Sequence, residues 1–283
     1  VRSYARFHCD LAFQEFLEIR RHADPGRRPF MFVEVGAHLG GCTFHALTQL
    51  DDGVTAVAVE PFQAAAEAMR ETAAWNGLEE RLEVRQRCVG AGNSSLTYFS
   101  RATPGFPWLH QPDWASADEE AAKEDAGRSQ IGSVRRTERC VGLADLLKRR
   151  GVHQVDVLRI HVLGRELSVL ESLGDWLQTG AVRALAVAIA GSNIVYHTRQ
   201  DVAAMAALLQ RTGYTLAYGG AVGEAAAELL TASAASPSGT TTLCAVHASA
   251  PSSEAEFGTA AAPDVLQAPS GTRRSVGKPS DPQ

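Results

Sequence analysis

Apolar positions along the chain follow two alternating rhythms, and together they predict strands followed by helices. The first rhythm is the short unbroken run. Phe30 to Val35 is interrupted only by Glu34, and its β-branched Val33 and Val35 favour a buried strand. Val54 to Val59, Leu82 to Val89, Leu96 to Phe99, Val155 to Val162, Val182 to Ile189, Tyr214 to Tyr218 and Thr241 to His247 read the same way. The second rhythm is the stripe spaced by three and four. It predicts helices over Phe13 to His22, Thr43 to Leu50, the stretch from Pro61 to a Gly77 cap, Val141 to Arg150, Glu166 to Leu177 and Asp201 to Arg211. Ala221 to Gly239 reads as a broken helix and loop. Val182 to Ile189 is almost wholly apolar, as strands are in parallel sheets covered on both faces. The predicted class is α/β: a doubly wound, mostly parallel sheet with helices on both faces and ligands at the C-terminal strand ends.

Where the rhythms fail, the domain limits follow. Residues 1–28 form an N-terminal helical extension, residues 29–248 the main domain, and residues 249–283, rich in Ala, Ser, Pro and Gly, a disordered tail. Within the main domain, about 103–139 reads as an irregular insertion. Pro104, Pro107 and Pro112 there flank Phe106, Trp108 and Trp114, ahead of an acidic run at Asp118 to Glu120. A substrate-covering lid and packing back onto the domain are both open readings of its tryptophans.

Two strand ends carry candidate chemistry. After Val35 come Gly36, Gly40 and Gly41, which let backbone approach a ligand before a helix whose N-terminal amides suit a carboxylate or phosphate. The turn is not a P-loop, since no Lys-Ser or Lys-Thr pair follows it, and it lacks G-x-G-x-x-G spacing. Glu60 closes the second strand, where a carboxylate accepts hydrogen bonds from ribose hydroxyls. A nicotinamide oxidoreductase would use the same two features, although its glycine spacing fits poorly.

Composition removes other classes. The 283 residues carry a net charge of -5 and a pI near 6.0, which gives no general attraction to nucleic acid. Arg135, Arg136 and Arg139 read as a solvated basic loop. No stretch has the apolar length of a membrane span, and Val1 to Arg21 lacks the order of a secretory signal. The five cysteines are scattered, without C-x-x-C, and the histidines show no metal-ligand spacing, so free thiols, no metal site and a cytoplasmic location are expected.

In order along the chain, FVEVGAHLGG, AVEPFQAAAEAMRETAAWNG, VRQRCVGAGNSSLTYF, VGLADLLKRRGV and VDVLRIHVLGRELSVLESL resemble the FkbM family of S-adenosylmethionine-dependent methyltransferases. The resemblance runs from about Phe30 to Tyr218 and implies a Rossmann-like class I methyltransferase fold. It implies S-adenosyl-L-methionine as cofactor and a small-molecule or carbohydrate hydroxyl as acceptor. On this chain the cofactor residues would be Glu34, Gly36, Ala37, His38, Gly40, Glu60, Cys88 and Val89. Gly36, Ala37 and Gly40 would face the methionine end, Glu60 the ribose, and Cys88 and Val89 the adenine. The family usually has Asp at Glu34. It has acidic residues where this chain has His161, Leu163 and Ala188, while Gly164 and Glu166 are kept. His161 and Glu166 are therefore the candidate catalytic residues, His161 as a base titrating near neutral pH. A binding module that has lost turnover is the alternative these substitutions raise.

Overall fold

The computed structural model describes residues 9, 11–23, 29–50, 52–92, 94–103, 106–113, 133–162, 164–190, 199–233 and 240–250. The chain opens with α1 (Leu11–Ala23), β1 (Phe30–Val35), α2 (Gly41–Gln49), β2 (Val54–Val59), α3 (Gln63–Trp75) and β3 (Leu82–Arg85). Strands β4 (Ser95–Thr103), β5 (Phe106–Asp113) and β6 (Ser133–Arg139) follow. Then come α4 (Leu143–Lys148), β7 (Val157–Ile160), α5 (Glu166–Glu171), α6 (Asp175–Gln178) and β8 (Ala184–Ala190). The last elements are α7 (Arg199–Arg211), β9 (Tyr214–Tyr218), β10 (Ala221–Val222), α8 (Glu224–Ser233) and β11 (Thr240–His247).

Eight strands form one sheet in the order β10-β9-β11-β8-β7-β1-β2-β3. Pairings from β8 through β3 are parallel, whereas β11 lies antiparallel between β8 and β9. The two-residue period of the strands supplies both faces. Val33, Val35, Val57, Val59, Leu158 and Ile160 join Leu143, Leu147, Leu170, Met205 and Leu209 on one side. Phe30, Phe32, Val54, Ala56 and Ala58 join Phe13, Leu17, Phe44, Leu47 and Met69 on the other. The sheet is therefore doubly wound. Each fully buried large side chain on these faces contributes about 2 kcal/mol relative to exposure. The chain builds outward from β1 to β3, then returns to place β7 on the other side of β1. This reversal opens a crevice beyond the C-terminal ends of β1 and β7.

Several expectations change. Glu166 to Leu177 is two helices, α5 and α6, because Gly174 takes φ 52 between them. Part of the stretch read as an irregular insertion is strand: β4, β5 and β6 make a three-stranded antiparallel sheet in the order β5-β4-β6. Trp108 lies on β5, and Arg135, Arg136 and Arg139 lie on β6 rather than in a loop. Trp114, the acidic run, Leu163 and the tail beyond residue 250 fall outside the described residues.

The expectation of free thiols is overturned. Cys9 is bonded to Cys42 and Cys88 to Cys140, and Cys244 is in neither disulfide. Spacing in sequence could not report these pairs, because folding brings them together. A parallel bridge between Val89 and Val141 sets Cys88 beside Cys140. The argument from free thiols to a reducing cytoplasm loses its basis. Among the described residues, no helix is long and apolar enough to cross a membrane and no cluster of metal-ligating side chains forms.

Candidate active site

The crevice at the strand reversal is a cleft of about 240 Å³. Its first wall comes from the turn after β1, with Glu34 to His38 and Gly41, and from Val59, Glu60 and Pro61 at the end of β2. Arg87, Cys88 and Val89 after β3, with Leu96 of β4, form the second wall. The third comes from β7 and the loop beyond it, through Arg159, His161, Val162 and Arg165. Of the ten residues proposed from sequence, all but Gly40 and Glu166 line this one cleft.

The glycine turn is dictated by contact and backbone angle together. Gly36 has φ +79, and a Cβ there would stand 2.0 Å from the carbonyl oxygen of His161. Only hydrogen fits between β1 and β7 at this point. Gly36 and Ala37 then donate their N–H groups to the carbonyl of Val59 at 2.9 and 3.2 Å, which ties the turn to the end of β2. Gly40 sits behind the cleft, its N–H donating to Ala37 at 2.7 Å, and Gly41 takes its place in the wall.

Glu60 is 3% exposed and accepts from two backbone amides, His38 at 2.8 Å and Phe62 at 2.9 Å. His38 has φ 51, a left-handed conformation uncommon outside glycine, and its bond to Glu60 helps hold it there. Burial pushes the Glu60 pKa up to about 7, against the two amides that lower it, and the charges of Glu34 and Glu138 add to the rise.

Glu34 is employed differently. One oxygen accepts from the Thr43 amide at 2.9 Å and from its hydroxyl at 2.6 Å, while the other accepts from Arg159 at 3.0 Å. Burial raises its pKa, and the Arg159 guanidinium followed by the Thr43 bonds opposes that rise. It lines the cleft, yet the polar contacts shown for its carboxylate run to the protein.

His161 is half-buried on the β7 side of the cleft, with its N–H donating to Val35 at 2.9 Å. Glu166 is fully buried outside the cleft. Its two oxygens accept from the amides of Val162 at 3.1 Å and Gly164 at 2.9 Å, so it shapes the loop after β7 rather than facing the cleft. Sequence reasoning missed Arg87, Arg159 and Arg165. A charged residue inside the apolar run VDVLRIHV was a usable signal for Arg159, since buried charge demands a partner. Arg165 donates to the Ser95 carbonyl at 2.8 Å, a contact across 70 residues that no local pattern reports.

A search of curated proteins finds no match. Among solved structures, the chain is similar to the N-terminal domain of human METTL16 in complex with SAH, at 12% identity over 82% of this chain and 67% of that one, with TM-score 0.40. It is similar to precorrin-6y C5,15-methyltransferase from Geobacter metallireducens, at 7% identity over 82% and 87%, with TM-score 0.40. A SAM-dependent methyltransferase from Agrobacterium tumefaciens is similar at 12% identity over 82% and 60%, with TM-score 0.39. The chain spans 66% of the length of the METTL16 MTase domain in crystal form 2, just under two thirds. The model of the methyltransferase FkbM domain matches residues 34–247, from the carboxylate at the end of β1 to the last strand, and the chain belongs to this family of methyltransferases.

Proposed function

We propose that the cleft binds S-adenosyl-L-methionine and that the chain transfers its methyl group to a hydroxyl of a small molecule or sugar. The observation that carries this reading is the convergence of the glycine turn, Glu60 and the Cys88–Val89 edge on one cleft at the strand reversal. The fit rests on two features of the walls. Gly36 lines the cleft and has no room for a side chain against the His161 backbone, so only backbone is presented there. Each Glu60 oxygen accepts one amide proton and keeps a further lone pair to accept from a ribose hydroxyl. Gly36 and Ala37 face the methionine end, and Cys88 and Val89 supply an apolar edge for the adenine.

When bound, the cofactor supplies a sulfonium methyl, whose carbon–sulfur bond breaks as the acceptor's oxygen–carbon bond forms. The protein's part is to hold the acceptor oxygen in line and to dispose of its proton. His161 is the residue we assign to that proton, an assistance worth about a hundredfold in rate. Glu166 does not take it. Its role is to fix the loop that carries His161 and Val162, and Glu34 is a structural acceptor rather than a cofactor ligand.

The engagement of Glu166 by backbone amides also favours a second reading, a cofactor-binding module without turnover, because it withdraws one of the two candidate catalytic residues from the cleft. Incubation with S-adenosyl-L-methionine and a panel of hydroxylated acceptors, assayed for S-adenosylhomocysteine, separates the two. Acceptor-dependent product supports the transferase. Saturable binding without product across the panel supports the module, and absence of binding rejects both.

A further inference from the structure

We propose that Arg159 is a positioning residue for the cofactor: by holding Glu34 against Thr43, it fixes the first turn of α2 and the glycine turn that faces the cleft. This inference rests on the reading that the cleft takes an adenosyl cofactor.

Helix α2 begins without a cap of its own. Its N-cap is Gly40, which has no side chain to accept an amide, and no side-chain cap bond forms there. Glu34, six residues earlier on β1, supplies the acceptor from beneath. Its carboxylate takes the amide and hydroxyl of Thr43, the third residue of the helix, where a capping side chain would normally act. A negative group at a helix N-terminus is also favoured by the macrodipole. The cleft-facing Gly41 opens the same turn, so the carboxylate beneath and the ligand above share one short piece of backbone.

A carboxylate 2% exposed needs a cation to stay charged, and Arg159 is placed to be that cation. It is paired with Glu34 in register across β1 and β7, is itself 3% exposed, and donates to the opposite oxygen at 3.0 Å. Its guanidinium is held in turn by the Phe13 ring of α1, 5.2 Å from the centroid. Strands β1 and β7 and helices α1 and α2 thus meet through one buried charge pair. Loss of the arginine leaves Glu34 to take up a proton, and a neutral acid caps Thr43 less well.

The test compares wild type with Arg159→Met, Arg159→Lys and Glu34→Asp. For each, S-adenosylhomocysteine affinity is measured by calorimetry at a fixed interval below its own melting temperature. Arg159→Met is expected to bind about tenfold more weakly, and Arg159→Lys, which keeps the charge, to return to within about threefold of wild type. Glu34→Asp shortens the reach to Thr43 and is expected to lose about fivefold while still folding; it carries the test if Arg159→Met does not fold. Wild-type affinity in Arg159→Met or in Glu34→Asp overturns the inference, as does Arg159→Lys no better than Arg159→Met. Failure of the wild type itself to bind overturns the cofactor reading instead.

Discussion

The two sides of the cleft hold their ligand-facing residues by different means. On the β1–β2 side, Glu60 and the glycine turn are fixed by short-range backbone contacts: Glu60 accepts from amides 22 and 2 residues away, and Gly36 and Ala37 donate to the end of the neighbouring strand. On the β3–β7 side the wall is joined by longer connections. The Cys88–Cys140 disulfide spans 52 residues, and Arg165 reaches Ser95 across 70. The backbone bonds of the first side form wherever its two strands pair, and β7 completes that side by packing on Gly36 and pairing with Glu34, whereas the second side is joined throughout by such longer connections.

This difference also explains what could be read from the sequence. The glycine turn and Glu60 were legible because strand, turn and carboxylate follow one another within about one βαβ unit. The doubly wound sheet was legible for the same reason, since each strand declares itself by its own apolar run. Both disulfides, the β4–β6 pairing and the arginine wall were not, because each joins residues that no local period connects. Glu166 was visible as a kept acid near a strand end. Its direction was not, and the structure turns it onto the amides of Val162 and Gly164.

The comparison can be broken most forcefully at Gly36. Gly36→Ala is expected to cost on the order of 4 kcal/mol, combining a close backbone contact with a left-handed φ, and to abolish cofactor binding. Thermal unfolding with and without S-adenosylhomocysteine reads both effects. Wild-type stability in this variant would show that the turn is not constrained by β7.

On the opposite wall, Cys88→Ser with Cys140→Ser removes a cross-link spanning 52 residues and is expected to lower stability by about 4 kcal/mol in denaturant unfolding. The bridge between Val89 and Val141 remains, so the variant should keep measurable cofactor affinity. A variant as stable as wild type would mean that backbone pairing alone closes this wall.

His161→Gln is expected to lower kcat about a hundredfold while leaving S-adenosylhomocysteine affinity within about twofold, because it removes a base and not a cofactor contact. Equal losses in both would reassign His161 to binding.

The pH dependence of the β1–β2 side follows from Glu60. Its pKa of about 7 in the folded protein exceeds the ordinary 4.5, so the native state holds this proton more tightly than the unfolded chain does. Its contribution to stability therefore falls as pH rises from about 4.5 to about 7, and Glu60→Gln should remove that slope from urea unfolding of the ligand-free protein. Cofactor affinity should move the other way. An ionised carboxylate is the better acceptor for ribose hydroxyls, so affinity is expected to rise about tenfold between about pH 6 and pH 8.

The most direct test of the account is titration of the protein with S-adenosylhomocysteine at a pH above 7, beside Glu60→Ala and Glu67→Ala. Glu67 stands on the exposed face of α3, where its carboxylate accepts from Gln63 at 2.7 Å. The account predicts one-site binding, weakened about tenfold by Glu60→Ala and within about twofold of wild type in Glu67→Ala. Equal effects of the two substitutions, or stabilisation by NAD in place of S-adenosylhomocysteine, would contradict it.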